Sequence, residues 1–385
     1  MILGIEASNL RTGGSQTHIV ELLSSARPKE HGFDQVVIWA GGATAGLLRK
    51  NVPPEIRIMH VPMLDRGLAW RFWWQQIHST RAARRHGCSL LFNPGCGYVG
   101  TFRPYVTMCR NMLSFAPDEV ARYGSSGTGF RFRLLRTVHR QSFQKANGII
   151  FLNDYARSIV TRELGLSHVP AVSVPHGVHP KYLLSPRRAE DGCGVNAGQP
   201  MKLLYVSTVD HYKHHWNVVE AVRRLRDQGK FVTLDMVGRA LPSALEKLRH
   251  AIHQHDPHGR FARYVGPLYG NDLVNAYHSA DLFVFASSCE NLPNILLEAM
   301  AAGLPIVCSN YSPMPEVLGD AGVYFDPLEP AEIAAALTKM IDSPALRNRL
   351  ALRSNLGALQ YSWARCAEQT FGFLADVAGR GYNKR

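Results

Sequence analysis

No stretch of the 385-residue sequence approaches the run of about 20 apolar residues that a membrane-crossing helix needs, although 46% of its residues are apolar. Cysteine is sparse: there are seven, an odd and scattered set with no CxxC spacing. That argues against a disulfide framework and reads instead as small core residues in a reducing cytosol. The first half is poor in acids. Residues 1–185 carry 22 Lys and Arg against 10 Asp and Glu, whereas the remainder carries 21 against 20. The net charge of +13 therefore sits almost wholly in the first half, and so one-sided a field expects an anionic surface as partner. No repeat and no low-complexity tract is present. The opening Met1-Ile2-Leu3-Gly4-Ile5-Glu6 lacks a basic region and meets an acid at once, so it reads as a strand rather than a signal peptide.

The length is too great for one ordinary core and predicts two domains of about 180 residues each. Apolar, β-branched runs at 2–7, 35–39, 89–93, 105–108, 148–152 and 171–174 read as strands, with helical stretches such as 17–25 and 131–145 between them. A break follows Pro175-His176-Gly177-Val178-His179-Pro180, and residues 183–200 have the Gly, Ser, Pro and charge content of a linker. The alternation then restarts, with strands at 202–207, 233–237, 261–265, 282–286, 305–309 and 323–325. Helices are expected at 216–228, 242–254, 271–278, 293–302 and 331–340. The expected fold is α/β, with two doubly wound Rossmann-like domains, 1–180 and 181–361, facing across a cleft. A last helix from 362, within residues 362–385, is long enough to return to the first domain.

The most informative segment is Ser287 to Pro305, in which Glu290 and Glu298 bracket a strand-to-helix turn. Pro293 suits the first turn of a helix, where its missing N–H costs nothing, and Gly303 ends that helix. Glu290 falls in the loop and Glu298 about a turn and a half inside the helix. Both acids can face the crevice at the carboxyl end of the strand, where open α/β sheets bind ligands, and the open amides of the helix start form an anion site. Two hydroxyl-accepting carboxylates around such a helix end suit a nucleotide sugar. Glutamates at this spacing are commonly solvated surface, but Ala299, Met300 and Ala302 give Glu298 apolar flanks.

Two other loops stand out. Arg11-Thr12-Gly13-Gly14-Ser15 follows the first strand, and paired glycines let a backbone approach a ligand closely. Thr208-Val209-Asp210-His211-Tyr212-Lys213-His214-His215-Trp216 follows the strand at 202–207, and places Lys213 just before a helix, where a cation could neutralise a diphosphate. The spacing of His211, His214 and His215 fits no standard metal-ligand set.

Taken together these features resemble the retaining glycosyltransferases of the two-Rossmann-domain, GT-B type, glycosyltransferase family 4. The resemblance rests on Gly13-Gly14, the Val174-Pro175-His176-Gly177-Val178 hinge, Lys213, Val237-Gly238, Val265-Gly266 and Glu290-x7-Glu298. Gly303-Leu304-Pro305 and Met314-Pro315-Glu316 extend it. It implies that Glu298 holds the ribose hydroxyls of a nucleotide and Glu290 contacts hydroxyls of the donor sugar. Asn291, Leu292, Pro293, Asn294 and Ile295 would approach the sugar and diphosphate. Lys213 would stabilise the leaving diphosphate with Gly13 and Gly14 opposite, and Gly266 and Leu268 would border the base. Thr208 stands where the family often has an arginine, and Cys109-Arg110-Asn111 where it often has a histidine. By the resemblance, either Arg110 would substitute in charge stabilisation or Asn111 in contacting the sugar.

The resemblance implies transfer of a hexose from a UDP- or GDP-sugar to a hydroxyl of a growing, lipid-linked glycan, with retention at the anomeric carbon. The Asn291-Leu292-Pro293-Asn294 form of the donor loop resembles members in bacterial surface-polysaccharide pathways, as for O-antigen or exopolysaccharide. No Asp-x-Asp pair occurs, so no metal and no other cofactor is expected. Trp70-Arg71-Phe72-Trp73-Trp74 and Phe130-Arg131-Phe132-Arg133 are basic and aromatic, which suits either a buried helix face or attachment to an anionic membrane surface. The charge asymmetry favours a cytoplasmic protein peripheral at the inner face of the plasma membrane. No nucleic-acid-binding module is recognisable, so nucleic acid is not an expected partner. Alternatives are a nucleotide-sugar epimerase or hydrolase on the same fold, or a non-catalytic scaffold.

Overall fold

The computed structural model describes residues 1–11, 13–124, 127–186 and 199–382. Most of the segment expected to be a linker, residues 187–198, lies outside the described residues. The chain divides into two compact units. Unit one comprises Met1–Val120, Gly124–Gly177 and Ser362–Arg385; unit two comprises Ala121–Tyr123 and Val178–Tyr361.

Unit one is built on a seven-stranded sheet. Its strands are β1 (Ile2–Glu6), β2 (Gln35–Ala40), β3 (Ile56–His60), β4 (Leu90–Asn93), β5 (Tyr105–Met108), β6 (Gly148–Phe151) and β7 (Ala171–Ser173), in the order 3-2-1-4-5-6-7. All neighbours pair parallel. Every residue of β4, β5 and β6 is buried, as expected of a parallel sheet covered on both faces. Strand β3 is absent from the sequence expectation. It is an edge strand, and its exposed Arg57 and His60 break the apolar run that marks the interior strands.

The helix Trp363–Tyr382 belongs to unit one. It lies so close to β6 that a β-carbon at Gly148 would fall 2.9 Å from Val377 and 3.0 Å from Phe373. Trp363 stacks on His176 at 5.7 Å and meets the edge of His18 at 5.3 Å. His18 is buried, and burial holds its imidazole well below the usual range, so the ring packs as a neutral, largely apolar group.

Unit two has six parallel strands, β8 (Met201–Val206), β9 (Val232–Val237), β10 (Ala262–Gly266), β11 (Leu282–Phe285), β12 (Ile306–Ser309) and β13 (Val323–Phe325), in the order 10-9-8-11-12-13. Succession along the sheet reverses between β8 and β11, which pair directly. That reversal opens a crevice at their carboxyl ends, the usual ligand position in doubly wound sheets.

Two further devices fix loops in unit two. Gly238 has φ 148°, and a β-carbon there would sit 1.9 Å from the Ser207 carbonyl oxygen, so no side chain is tolerated at the end of β9. Asp256 is buried, and burial alone would raise its pKa. Three backbone N–H donors, from Arg260, Phe261 and Ala262 at 2.7–2.8 Å, outweigh that and hold it below the usual range.

The helix Pro344–Ala358 was not expected. Its Arg347 is buried and donates to the carbonyls of Met340 and Ile341 at 2.7 and 2.6 Å. A charged residue committed inside the core in this way breaks the apolar pattern from which helices are read.

Candidate functional site

The loops after β8 and β11 carry the charged groups of unit two. After β8 the chain forms a short 3-10 turn, His211–Lys213, and then enters the helix His215–Asp227. After β11 it runs through Glu290 to the helix Asn294–Ala301. The Ser288 amide donates to the Tyr212 carbonyl at 2.9 Å, and the His214 ring and Ser288 hydroxyl are 2.8 Å apart. The two loops are thus tied to each other. Tyr205, on β8, braces the first of these loops by donating to the Lys213 carbonyl at 2.5 Å.

Within this frame Lys213 forms an ion pair with Glu290, its side chain only 6% and that of Glu290 13% exposed. The ammonium also lies 5.0 Å from the Tyr212 ring and 5.1 Å from the Phe285 ring. A pair so shielded from water interacts more strongly than a surface pair and is held in one geometry.

Glu298 lies on the helix Asn294–Ala301, half-buried, and accepts a hydrogen bond from the Tyr277 hydroxyl at 2.9 Å. Burial raises its pKa to about 7, against the lowering influences of Tyr277 and of Lys181. Tyr182 packs edge-on to Tyr277 at 5.6 Å. Tyr277, Tyr182 and Lys181 were missed in the sequence, because nothing in local spacing ties them to Glu298. Asn291, Leu292 and Pro293 are buried before the helix, with Asn294 and Ile295 in its first turn. The Leu296 and Leu297 amides bond back to the Pro293 carbonyl, leaving the first-turn amides as the ones a helix start offers to an anion.

Thr208 is exposed on the β8 loop, and Leu268 is half-buried just beyond β10. Gly266 ends β10 with φ 85°, a left-handed conformation that favours glycine. The three histidines do not converge. His211 pairs with Ser243 at 3.1 Å, His214 with Ser288, and His215 with Ser207 at 3.1 Å while stacking on Tyr205 at 4.3 Å. Burial lowers His214 and His215 to about 3, so both are neutral near pH 7.

The remaining candidates lie in unit one. Gly13 has φ 58° and precedes the helix Gly14–Ser24. Arg110, just past β5, donates to the Gly14 carbonyl at 2.8 Å, and its backbone amide points to Cys96 Sγ at 3.0 Å. Burial lowers its pKa to about 10, which leaves it cationic. Asn111 turns its side-chain oxygen to the Leu113 amide at 3.0 Å and so shapes its own loop. Gly95-x-Gly97-x-x-Gly100 has the spacing of a dinucleotide fingerprint but leads from β4 to β5 without opening a helix, so the anion-binding context of that motif is missing.

Residues 194–355 match the family model described as glycosyl transferases group 1. Over 108 residues the chain is 38% identical to O-antigen chain mannosyltransferase B of Escherichia coli, covering 28% of this chain and 28% of that relative's length. It is 24% identical over 383 residues to the phosphatidyl-myo-inositol mannosyltransferase of Mycobacterium tuberculosis, covering 96% of this chain and 94% of that one. Among solved structures, Anabaena HepE in complex with UDP matches with a TM-score of 0.70 at 17% identity, over 97% of this chain and 99% of that one, a likeness of fold. The fold is thus that of the GT-B glycosyltransferases. Residues 194–355, within the second unit, thus form a segment similar to the group 1 glycosyl transferases.

Proposed function

We propose that the protein transfers a hexosyl group from a UDP- or GDP-sugar to a hydroxyl of a growing, lipid-linked glycan in bacterial surface-polysaccharide synthesis, with retention at the anomeric carbon. The observation that carries this reading is the shielded Lys213–Glu290 pair, held between tied loops at the carboxyl ends of β8 and β11. Similarity to an O-antigen mannosyltransferase and to a protein solved with UDP supports the donor class and the pathway.

In this reading Glu298 accepts hydrogen bonds from the ribose hydroxyls, and the Asn294 and Ile295 amides face the diphosphate. Thr208, Gly266 and Leu268 border the nucleotide, Asn291, Leu292 and Pro293 shape the sugar pocket, and Gly13 and Gly14 lie against the phosphates. Donor binding moves the Lys213 ammonium from Glu290 to the diphosphate and frees the Glu290 carboxylate for hydroxyls of the sugar. Arg110 supplies positive charge, while Asn111 holds its loop. The acceptor oxygen then forms a bond to the anomeric carbon as the bond to the diphosphate oxygen breaks, and the acceptor proton passes to that departing oxygen on the same face. Preorganised donors aimed at the developing charge are the main source of acceleration. Lys213 and the helix amides supply the positive field, so the transfer is proposed to need no divalent ion.

The aromatic surface of unit one supports attachment to a membrane. Trp70, Phe72 and Trp73 are 43–53% exposed and Phe130 is 71% exposed, with exposed arginines at 131 and 133. Aromatic and basic side chains together suit an anionic bilayer surface. Among the described residues, no helix is long and apolar enough to cross a membrane.

The test is thermal stability against a panel of nucleoside diphosphates and their sugars, with and without magnesium. Stabilisation by UDP or GDP, lost in Glu298→Gln and indifferent to magnesium, is expected. Lack of response to every nucleotide would refute the donor site, and release of free sugar or an epimer without acceptor would favour a hydrolase or epimerase.

A further inference from the structure

Unit one has a cavity of 610 Å³ beyond the carboxyl ends of β1, β2 and β3. Its lining includes Arg11, Arg71 and Arg131, with Ser8 and Thr44 between them. One carboxylate, Asp65, lines it as well. That carboxylate pairs with the His60 ring at 2.7 Å and accepts from the Gly42 amide at 2.6 Å, and these partners, with the charge of Arg11, hold its pKa below the usual range.

Arg71 is the least exposed of the three. Its Nε is buried with no hydrogen-bond partner, and Nη1 reaches only Asn9 Oδ1 at 3.5 Å. Burial, and then the charges of Arg11 and Arg131, press its pKa down. Three guanidinium groups thus share one cavity with a single carboxylate, an excess of positive charge that an anion would balance. Guanidinium forks match the oxygens of a phosphate.

The backbone holds Arg71 in place. Its helix, Leu68–Trp73, runs into a five-residue π segment, Trp74–His78. That wider turn places the buried Gln75 where its amide donates to Glu6 at 2.9 Å and Ser8 at 2.8 Å. Asn93 also donates to Glu6, at 2.9 Å. The segment that carries Arg71 is therefore fixed from β1, β4 and the helix at once.

We infer that this cavity binds a phosphate group carried by the sugar acceptor, so that the enzyme selects phosphorylated or phospholipid-linked acceptors over neutral glycans. Calling the ligand an acceptor rests on the transferase reading above; the phosphate site itself does not.

The test titrates the full chain with inorganic phosphate by calorimetry at low salt, in wild type, Lys213→Ala, Arg71→Gln and Arg131→Gln. The exposed position of Arg131 makes its variant safe for folding, and UDP- or GDP-induced stabilisation checks unit two in each protein. Phosphate binding retained in Lys213→Ala and weakened about tenfold or more in both arginine variants is expected, one lost charge-assisted contact being worth about 1.5–3 kcal/mol. Binding that follows Lys213 alone, or no phosphate binding at all, overturns the inference, even if nucleotides still stabilise the protein. Failure of nucleotide binding with phosphate binding intact would instead remove the transferase reading and leave the cavity standing. Phosphatidylglycerol vesicles separate the sources. Vesicle binding that Arg131→Gln weakens and free phosphate competes away marks a lipid headgroup, whereas vesicle binding indifferent to both marks a soluble phosphate, and either supports the site.

Discussion

The two units place their polar groups at the same topological position with opposite chemistry. In each, the first strand of the sheet lies beside the point where strand succession reverses, and the loops beyond that strand carry charge. In unit one the cavity there gathers three arginines around a single committed carboxylate. In unit two the same place holds one lysine matched to Glu290, with Glu298 on the following helix. Unit one is unbalanced in charge, and unit two is internally paired. Topology fixes where a ligand can sit, and loop residues decide which ligand that place suits.

The comparison can be broken most sharply at Lys213. Lys213→Ala should slow transfer by on the order of 10²–10³, read by single-turnover kinetics, while nucleotide binding changes less. It also leaves Glu290 shielded and unpaired, so unit two should lose stability. Replacing both partners by apolar residues should restore stability without restoring the rate. A wild-type rate in Lys213→Ala would remove the contrast between the units.

Asp256→Ala tests whether the units are energetically separate. It orphans three backbone donors and should cost about 2–3 kcal/mol in unit two alone. Two unfolding transitions, with the one assigned to unit two shifted, are the expected calorimetric result. A single shifted transition would mean that the units unfold together.

Glu298 gives a smaller, pH-dependent effect. Its folded pKa of about 7 lies above its ordinary value of 4.5. The folded state therefore holds a proton that the unfolded chain has released, and stability falls as pH rises from about 4.5 to about 7, then levels off. Glu298→Gln should abolish that slope and gain about 1–2 kcal/mol on the wild type by pH 8, allowing for partial exposure. Donor affinity in the wild type should rise through the same window, as the carboxylate forms. A flat difference between the two proteins from pH 5 to 8 would refute the raised pKa.

The smallest effect is expected at the aromatic surface of unit one. Trp73→Ser should reduce partition onto phosphatidylglycerol vesicles by about 1 kcal/mol or more and leave nucleotide binding untouched. Unchanged partition would assign that surface another role.

Much of the fold was legible because buried parallel strands have a plain signature. Leu282–Phe285 and Ile306–Ser309 are apolar or small throughout and bounded by Gly, Pro or loop residues. What escaped was set by tertiary context. Strand β3 mixes Ile56 and Ile58 with Arg57 and His60, as an edge permits. The pairing of Lys213 with Glu290 joins residues 77 apart, and the Tyr277–Glu298 bond joins residues 21 apart. Each of these charged residues stood out within its own loop, but no local spacing encodes the partner. The arginine cavity was the least legible, since Arg11, Arg71 and Arg131 come from three separate segments. Arg71 and Arg131 were read only as parts of basic, aromatic runs.

The bond from the Ser288 amide to the Tyr212 carbonyl has a practical consequence for altering what this protein accepts. It makes the segments 207–214 and 286–293 a single cassette. Grafting either alone from a relative would import a mismatched seam, with Ser288, His214 and Tyr205 left to pair with strangers. A graft of both segments together, carrying Tyr205 with them, keeps every cross-strap and is the smallest exchange from which a working chimera should emerge.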